Sequence, residues 1–409
     1  MLATMVLAAC SSDDTTEPDV KRGMVLKANV ENTDTRATMT KNKDVWKFAF
    51  AAGDEVKVGN DNVEGYYTFT NNGTEFASAD AKQTTDAANW YAYFPKETID
   101  LTNQSGDSTD VANKYALAGV TATPTTGSDG LTVTMKAKAA VLCIVGVNKD
   151  DILDISVKTD KGYVSKLVAD KSSAGFSVET SDAKVSLLSK QGAGVYYVVV
   201  PAKVKLSVYN GTKHMRTTKE AGLTAGKYYT LYTGDREGDE YATINGVEIK
   251  KHWVQLWPGG PKFATENVAE NMNFTDACKT GDAYVWGKNW RTPNGEELAP
   301  LYNGIAVNTK NVSVVYKQSN GSYGIEFTGV QHGYTNNKVF FQGEGNLDAE
   351  GGGWSYLTST DNKDNKTWNI SFHVGQNKKE DGSTYTDFYI YENWNSTTTK
   401  YMVRPVLAK

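Results

Sequence analysis

No Gly-x-Ser-x-Gly elbow, His-Glu-x-x-His pair or phosphate-cradling glycine-rich loop occurs in this 409-residue chain, and no cysteine stands beside a histidine. The four histidines, His214, His252, His332 and His373, share no metal-ligand spacing. Asp348 with Glu350 and Asp239 with Glu240 make carboxylate pairs, and both read as solvated loop charges. Asp361-Asn362-Lys363-Asp364-Asn365 has the look of a calcium loop until Lys363, which puts a cation where an oxygen ligand is needed. The expectation is therefore no enzyme, no cofactor and no metal. Binding is the chemistry left. The stretches 343–356 and 376–396, read as loops, combine flexible glycines (Gly351, Gly352, Gly353) with acceptors (Asp348, Asn393, Asn395) and aromatics (Trp354, Tyr391, Trp394). Aromatic faces stack on sugar rings and mixed acceptors suit hydroxyls, so Trp394, Tyr391, Asn393, Asn395 and Asp348 form the candidate ligand site. Trp394 is the one expected to be exposed.

The N-terminus carries a different chemistry. A short apolar run, Leu2 to Ala9, ends in two small residues and Cys10, followed by Ser11-Ser12-Asp13-Asp14. This order resembles a lipobox, where a signal peptidase cuts before a cysteine whose sulfur carries a diacylglyceryl group. Two or more acyl chains hold a membrane firmly where one does so only marginally. Cys10 is thus the expected lipidation site, and the acidic residues after it resemble a signal for the outer face of an outer membrane. No Lys or Arg precedes the run, so part of a charged leader is expected upstream.

Elements must position these residues, and the pattern is strand-like almost throughout. Hydrophobic residues make up 39% and charged residues 22%, with a net charge of −5 from 43 basic and 48 acidic side chains, as in a folded, polar-surfaced protein. No clustered basic face suggests nucleic acid. Of the three cysteines, Cys143 lies in an apolar run and Cys278 stands alone, so no disulfide framework is implied. Leu131, Val133, Met135 and Ala137 alternate with Thr132, Thr134 and Lys136, the period of a half-buried strand. Residues 139–147 are continuously apolar, as in a strand buried on both faces. Asp160-Lys161-Gly162 reads as a hairpin turn. Regular turn signals favour sandwiches over a barrel for 24–234.

Residues 234–240 read as a charged, glycine-punctuated linker, and beyond it the composition shifts: seven of the nine tryptophans follow. One helix signal appears there, Thr292 to Leu301, with Thr292 as cap, Pro293 at the first position and Glu296-Glu297 on the dipole. Trp368, Ile370, Phe372 and Val374 alternate with Asn369, Ser371, His373 and Gly375, placing His373 toward water or a polar cleft.

Residues 24–234 resemble the fimbrillin family of β-sandwich pilus subunits. The motifs are the Cys10 lipobox, Thr35-Arg36-Ala37-Thr38, Ala52-Gly53-Asp54-Glu55-Val56, Tyr93-Phe94-Pro95 and Ala225-Gly226-Lys227-Tyr228-Tyr229. Residues 245–409 resemble the Fibrobacter succinogenes major paralogous domain, similar in fold to C-type lectins. Its marks are Lys262 to Val268, Tyr284-Val285-Trp286-Gly287, Trp290-Arg291-Thr292-Pro293, Glu296-Glu297-Leu298, Val339-Phe340-Phe341, Trp354-Ser355 and Val403-Arg404-Pro405-Val406. The expected fold is mostly β, with tandem fimbrillin-like β-sandwiches followed by an α+β C-type-lectin-like domain. The expected divisions are a signal peptide at 1–9, a lipidated pro-segment at 10–36, sandwiches at 37–135 and 136–234, a linker at 235–244 and the lectin-like domain at 245–409.

The resemblance implies a mechanism. A trypsin-like protease cuts between Arg36 and Ala37, removing the lipid and the strand Met24 to Val30, and a strand from the next subunit fills the groove. Where shaft subunits end in a donated strand, this chain continues into a whole domain, which implies a tip adhesin. The partners implied are other pilus subunits, a host or bacterial surface glycan or protein, and the outer membrane through the lipid. The alternative is a monomeric surface lipoprotein that binds glycan. The lectin-like module implies no calcium-dependent sugar site, because a Glu-Pro-Asn motif is absent and Trp394-Asn395-Ser396 lacks the acidic residue. It also implies that Trp354, Trp286 and Trp290 are core. Formylglycine-forming enzymes share that fold, but their paired cysteines are missing here.

Overall fold

A computed structural model describes residues 24–30, 40–42, 45–47, 50–81, 89–123, 130–302, 308–319, 322–343, 352–361, 366–378 and 384–408. Cys10, Arg36, Ala37 and Asp348 lie outside them. The fold is mostly β, as the strand-period patterns predict.

The first unit holds β1 (Met24–Val30), β2 (Thr40–Asn42), β3 (Val45–Lys47), β4 (Glu55–Asn60), β5 (Tyr67–Asn71), β6 (Phe76–Ser78), β7 (Asn89–Phe94), β8 (Thr98–Asp100), helix α1 (Ser108–Lys114), β9 (Leu117–Ala122) and β10 (Gly130–Ala137). Leu131, Val133 and Met135 are buried while Thr132, Thr134 and Lys136 face out, so β10 turns one face to the core as its alternation requires. Seven strands form a closed path in the order β1-β10-β9-β7-β4-β5-β6. Where the turn spacing favoured a sandwich over a barrel, β1 closes this path by pairing with both β10 and β6. Gly119 on β9 permits the close crossing to β10, because a Cβ there would fall 2.5 Å from the Thr134 carbonyl oxygen.

The second unit contains β11 (Ala139–Gly146), β12 (Ile152–Lys158), β13 (Tyr163–Asp170), β14 (Gly175–Ser181), β15 (Leu188–Gln191), β16 (Gly194–Pro201), β17 (Ser207–Asn210), β18 (Lys213–Thr217) and β19 (Tyr228–Tyr232). The continuously apolar run becomes β11, buried at every position between antiparallel β16 and parallel β19. The facing sheet runs β14-β13-β12-β17-β18, with β15 paired to β12 and β8 to β13. The hairpin at Asp160-Lys161-Gly162 forms between Lys158 and Tyr163.

That β8 pairing crosses the expected boundary near residue 135. Residues 98–114, counted with the first unit, pack on the second: Gln104 donates to the Leu101 and Val199 carbonyls and accepts from the Val199 N–H, all at 2.8–2.9 Å. Likewise β1 precedes residue 37 yet completes the first unit. One apolar cluster accordingly runs from Met24 and Leu26 through Ile99 and Val141 to Leu223. Lys171 adds a polar latch, donating to the Asn60 and Val63 carbonyls beneath the Tyr66 ring.

The third unit starts earlier than expected. The stretch 235–244, read as a linker, is β20 (Glu237–Ile244), paired along its length with β21 (Val247–Gln255). The charges at Asp239 and Glu240 suggested a linker, but they sit on an edge strand whose ladder partner supplies Lys250 and Lys251. Next come β22 (Lys262–Ala264), α2 (Phe274–Ala277), β23 (Trp290–Arg291), α3 (Gly295–Leu298), β24 (Val312–Ser319), β25 (Ser322–Gly329), β26 (Lys338–Gln342), β27 (Gly352–Asp361), β28 (Lys366–Lys378), β29 (Thr384–Ser396) and β30 (Val406–Leu407). Three sheets result, β20-β21-β22-β30-β23, β24-β25-β26 and β27-β28-β29.

The helix signal is correct in place and shifted at its start. Asn294, not Thr292, caps α3, because Asn294 and Glu297 satisfy each other's backbone N–H in a capping box while Thr292 is buried. Arg291 grips the same Glu297 with two hydrogen bonds of 2.6 and 2.7 Å. Arg404 is buried at 2% exposure and donates to the Ala264 and Phe340 carbonyls at 3.2 and 2.5 Å. Its guanidinium lies 5.1 Å from the Phe341 ring centre, and burial pulls its pKa down.

Two predictions follow from this packing. A single transition is expected for the first two units in scanning calorimetry, with Leu167→Ala at their shared core lowering it as a whole; two separable transitions within 24–234 would contradict the common core. Burial alone would lift the Glu297 carboxyl, yet Arg291 and the Asn294 N–H hold it below its ordinary value. That stability is present above the ordinary carboxylate range and is lost as pH falls through the lowered value. Glu297→Gln should cost about 1–2 kcal/mol at neutral pH, with the two denaturation curves converging in acid.

Candidate functional site

The first candidate is the seat of β1. The strand runs parallel to β10, Val25 beside Gly130 through Val30 beside Met135, and antiparallel to β6, Met24 beside Ser78 through Leu26 beside Phe76. Met24 and Leu26 are buried at 3% and 0% exposure, with Ala28 and Val30 packed against the same core, while Lys27 and Asn29 are less buried. Burying a Met or Leu side chain fully is worth about 1.5–3 kcal/mol. Without β1, the barrel would carry two strand edges with unpaired backbone groups and a groove floored by Phe76, Leu131, Val133 and Met135. The groove would be one strand wide. Arg36 and Ala37 lie between β1 and β2, outside the described residues.

The second candidate is the end of β29. Residues 376–396, read largely as loop, are mostly the hairpin β28–β29, and 352–356 of the other expected loop lies in β27. A strand changes the geometry of the candidate site, because neighbours on it alternate between faces. Trp394 falls on the face of Glu392 and buried Ile390, while Asn393 and Asn395 belong to the other face. Trp394 therefore does not share a face with Asn393 and Asn395. Trp394 is exposed at 38%, as expected, and stands opposite Trp368 in the ladder. Asn393 and Asn395 are half-buried, and the Asn393 Oδ1 accepts the Trp394 N–H at 2.9 Å. The side chains of Tyr391, Trp354, Trp368 and His373 lie outside the described ones.

The residue that sequence reasoning missed is Tyr302, whose hydroxyl donates to Glu392 at 3.2 Å. Burial, with the Glu392 carboxylate beside it, pushes the Tyr302 phenol up to about 12. The pair brings a carboxylate and a phenol together, with the Trp394 indole two positions along the same strand face, and such groups take hydroxyls and stack on a ring. No local pattern links positions 302 and 392, so only the fold could reveal them. Trp286 and Trp290 are core at 3% and 0% exposure, their rings edge-to-face at 5.2 Å. Cys143 is a buried core residue, and neither it nor Cys278 is in a disulfide.

No family model matches the chain, and no characterised protein matches it in a sequence search. Among solved structures it is similar to a "putative cell adhesion protein" of Bacteroides ovatus ATCC 8483, at 11% identity over 56% of this chain and 95% of the other, with a TM-score of 0.33. A second such protein, from Bacteroides uniformis ATCC 8492, aligns at 13% identity over 58% and 99%, with a TM-score of 0.32. A fimbrial protein of Bacteroides ovatus ATCC 8483 aligns at 10% identity over 95% and 100%, with a TM-score of 0.25.

Proposed function

We propose that this chain is a cell-surface fimbrial subunit with an adhesive third unit, matured by removal of β1 and assembled by strand exchange. The observation that carries the reading is the position of β1. Among the described residues it comes first in sequence and bonds to both β6 and β10, closing that barrel path. Cleavage after Arg36 takes β1 away together with the lipid on Cys10, leaving a groove that accepts an extended strand through main-chain bonds and side-chain pockets. The third unit, read as a C-type-lectin-like module, occupies the place where a donated strand would follow, which suits a tip position. Its ligand, a glycan or protein of a host or bacterial surface, is assigned to the Trp394, Glu392 and Tyr302 surface.

The buried Met24 and Leu26 favour a second reading, in which β1 stays and the chain acts as a lipid-anchored monomer. N-terminal mass spectrometry of protein sheared from cells separates the two. A chain starting at Ala37, lost in Arg36→Ala, supports assembly; one starting at acylated Cys10 supports the monomer. Trp394→Ala is expected to weaken binding on a glycan array about tenfold without shifting the melting temperature. Asn395→Ala, on the other face, should change it little. Equal losses from both would overturn the assigned surface.

A further inference from the structure

Lys138 is the single residue between β10 and β11, and its backbone is fixed at both ends. Its N–H donates to Ala116 and its carbonyl accepts from Ala202, at 2.8 and 3.3 Å. The half-buried side chain reaches toward the start of β14, with Nζ 3.9 Å from where a Cβ on Gly175 would lie. There it borders a half-open cavity of about 540 Å³, within the range of about 300–1,000 Å³ usual for small ligands. Lys203 and Lys161 stand on the same rim. Among the described residues no carboxylate pairs with any of these three ammonium groups; the nearest acid on the rim is exposed Asp160. Lys203 holds a left-handed turn at φ 59°, a position glycine would take with less strain. Burial, then the charges of Lys203 and Lys136, pull the Lys138 pKa down. A half-buried cation among like charges lowers stability, and a bound counter-ion would relieve that cost.

The other walls say what kind. Phe176 offers an aromatic ring, held edge-to-face by Tyr93 at 5.4 Å. Ser173 gives its proton to Asp170 and Thr180, on the same face of β14 as Phe176, gives its own to the Lys161 carbonyl, leaving hydroxyl lone pairs free to accept. Cation donors, hydroxyl acceptors and one apolar ring are the complement of an acidic sugar. We propose that this cavity binds a sugar unit carrying an oxyanion, a carboxylate or a sulfate, with Lys138 as its anchor. The site lies in the second unit and stands whether or not the chain assembles into a fimbria.

Calorimetric titration of the full chain with glucuronate, glucose 6-sulfate, glucose and inorganic sulfate tests it. Both acidic sugars should bind and glucose should not, and their ratio tells carboxylate from sulfate preference. Lys138→Met should weaken binding at least about tenfold while raising the melting temperature by about 1–3 °C, since it removes an unpaired buried charge. Lys213→Met, on β18, should leave both unchanged. Binding untouched by Lys138→Met, no binding of either acidic sugar, or inorganic sulfate binding as tightly as the sugars would each overturn the proposal. So would a fall in melting temperature, which would make Lys138 a structural residue.

Discussion

A sheet closed into a barrel has no edge, and here one strand makes the closure. β1 carries hydrogen bonds on both sides, parallel to β10 and antiparallel to β6, and drops Met24 and Leu26 into the core beneath. A terminal strand at such a seam is the least entangled element of a barrel, because its departure unthreads nothing. The remaining strands keep their own neighbours along β10-β9-β7-β4-β5-β6. The same strand that completes the core is therefore the one on which closure of the barrel path rests.

The first unit does not stand alone. β8 leaves the barrel sequence to pair with β13, Gln104 ties to Val199, and one apolar cluster spans both units. The third unit follows another logic, with its own aromatic cores. At their junction Arg404, fully buried, directs its two Nη groups to carbonyls of β22 and β26 and lies over Phe341. A guanidinium suits such a place, since its planar donors satisfy several backbone acceptors while its face packs on rings.

How much of this was legible depends on range. Residues 139–147 announced a doubly buried strand, and β11 is that strand, because a continuous apolar run has few other uses. The alternation at Leu131, Val133 and Met135 gave the inward face of β10 for the same local reason. Closure by β1 was not legible, since nothing in Met24 to Val30 says which two edges it joins. Nor was β20, where charge at 235–240 imitates a linker although pairing with β21 satisfies it. In the candidate site, exposure of Trp394 was readable. The difference lies in reading 376–396 as a loop, because strand alternation separates Trp394 from Asn393 and Asn395, its neighbours in sequence.

The seam between second and third units has a mechanical meaning. β19 passes directly into β20 through Arg236, whose guanidinium lies 3.7 Å from the Tyr232 ring centre and donates to the Gly333 carbonyl. A separate contact binds the far side, with Gln255 and Gly259 both donating to the Val147 carbonyl at 3.1 and 2.9 Å and Tyr334 packed by Cys143 and Val145. Tension applied to the third unit thus enters the second at the end of β19 and, in parallel, at the end of β11. Two anchorages on adjacent strands share the load, one through the chain itself and one through hydrogen bonds to Val147.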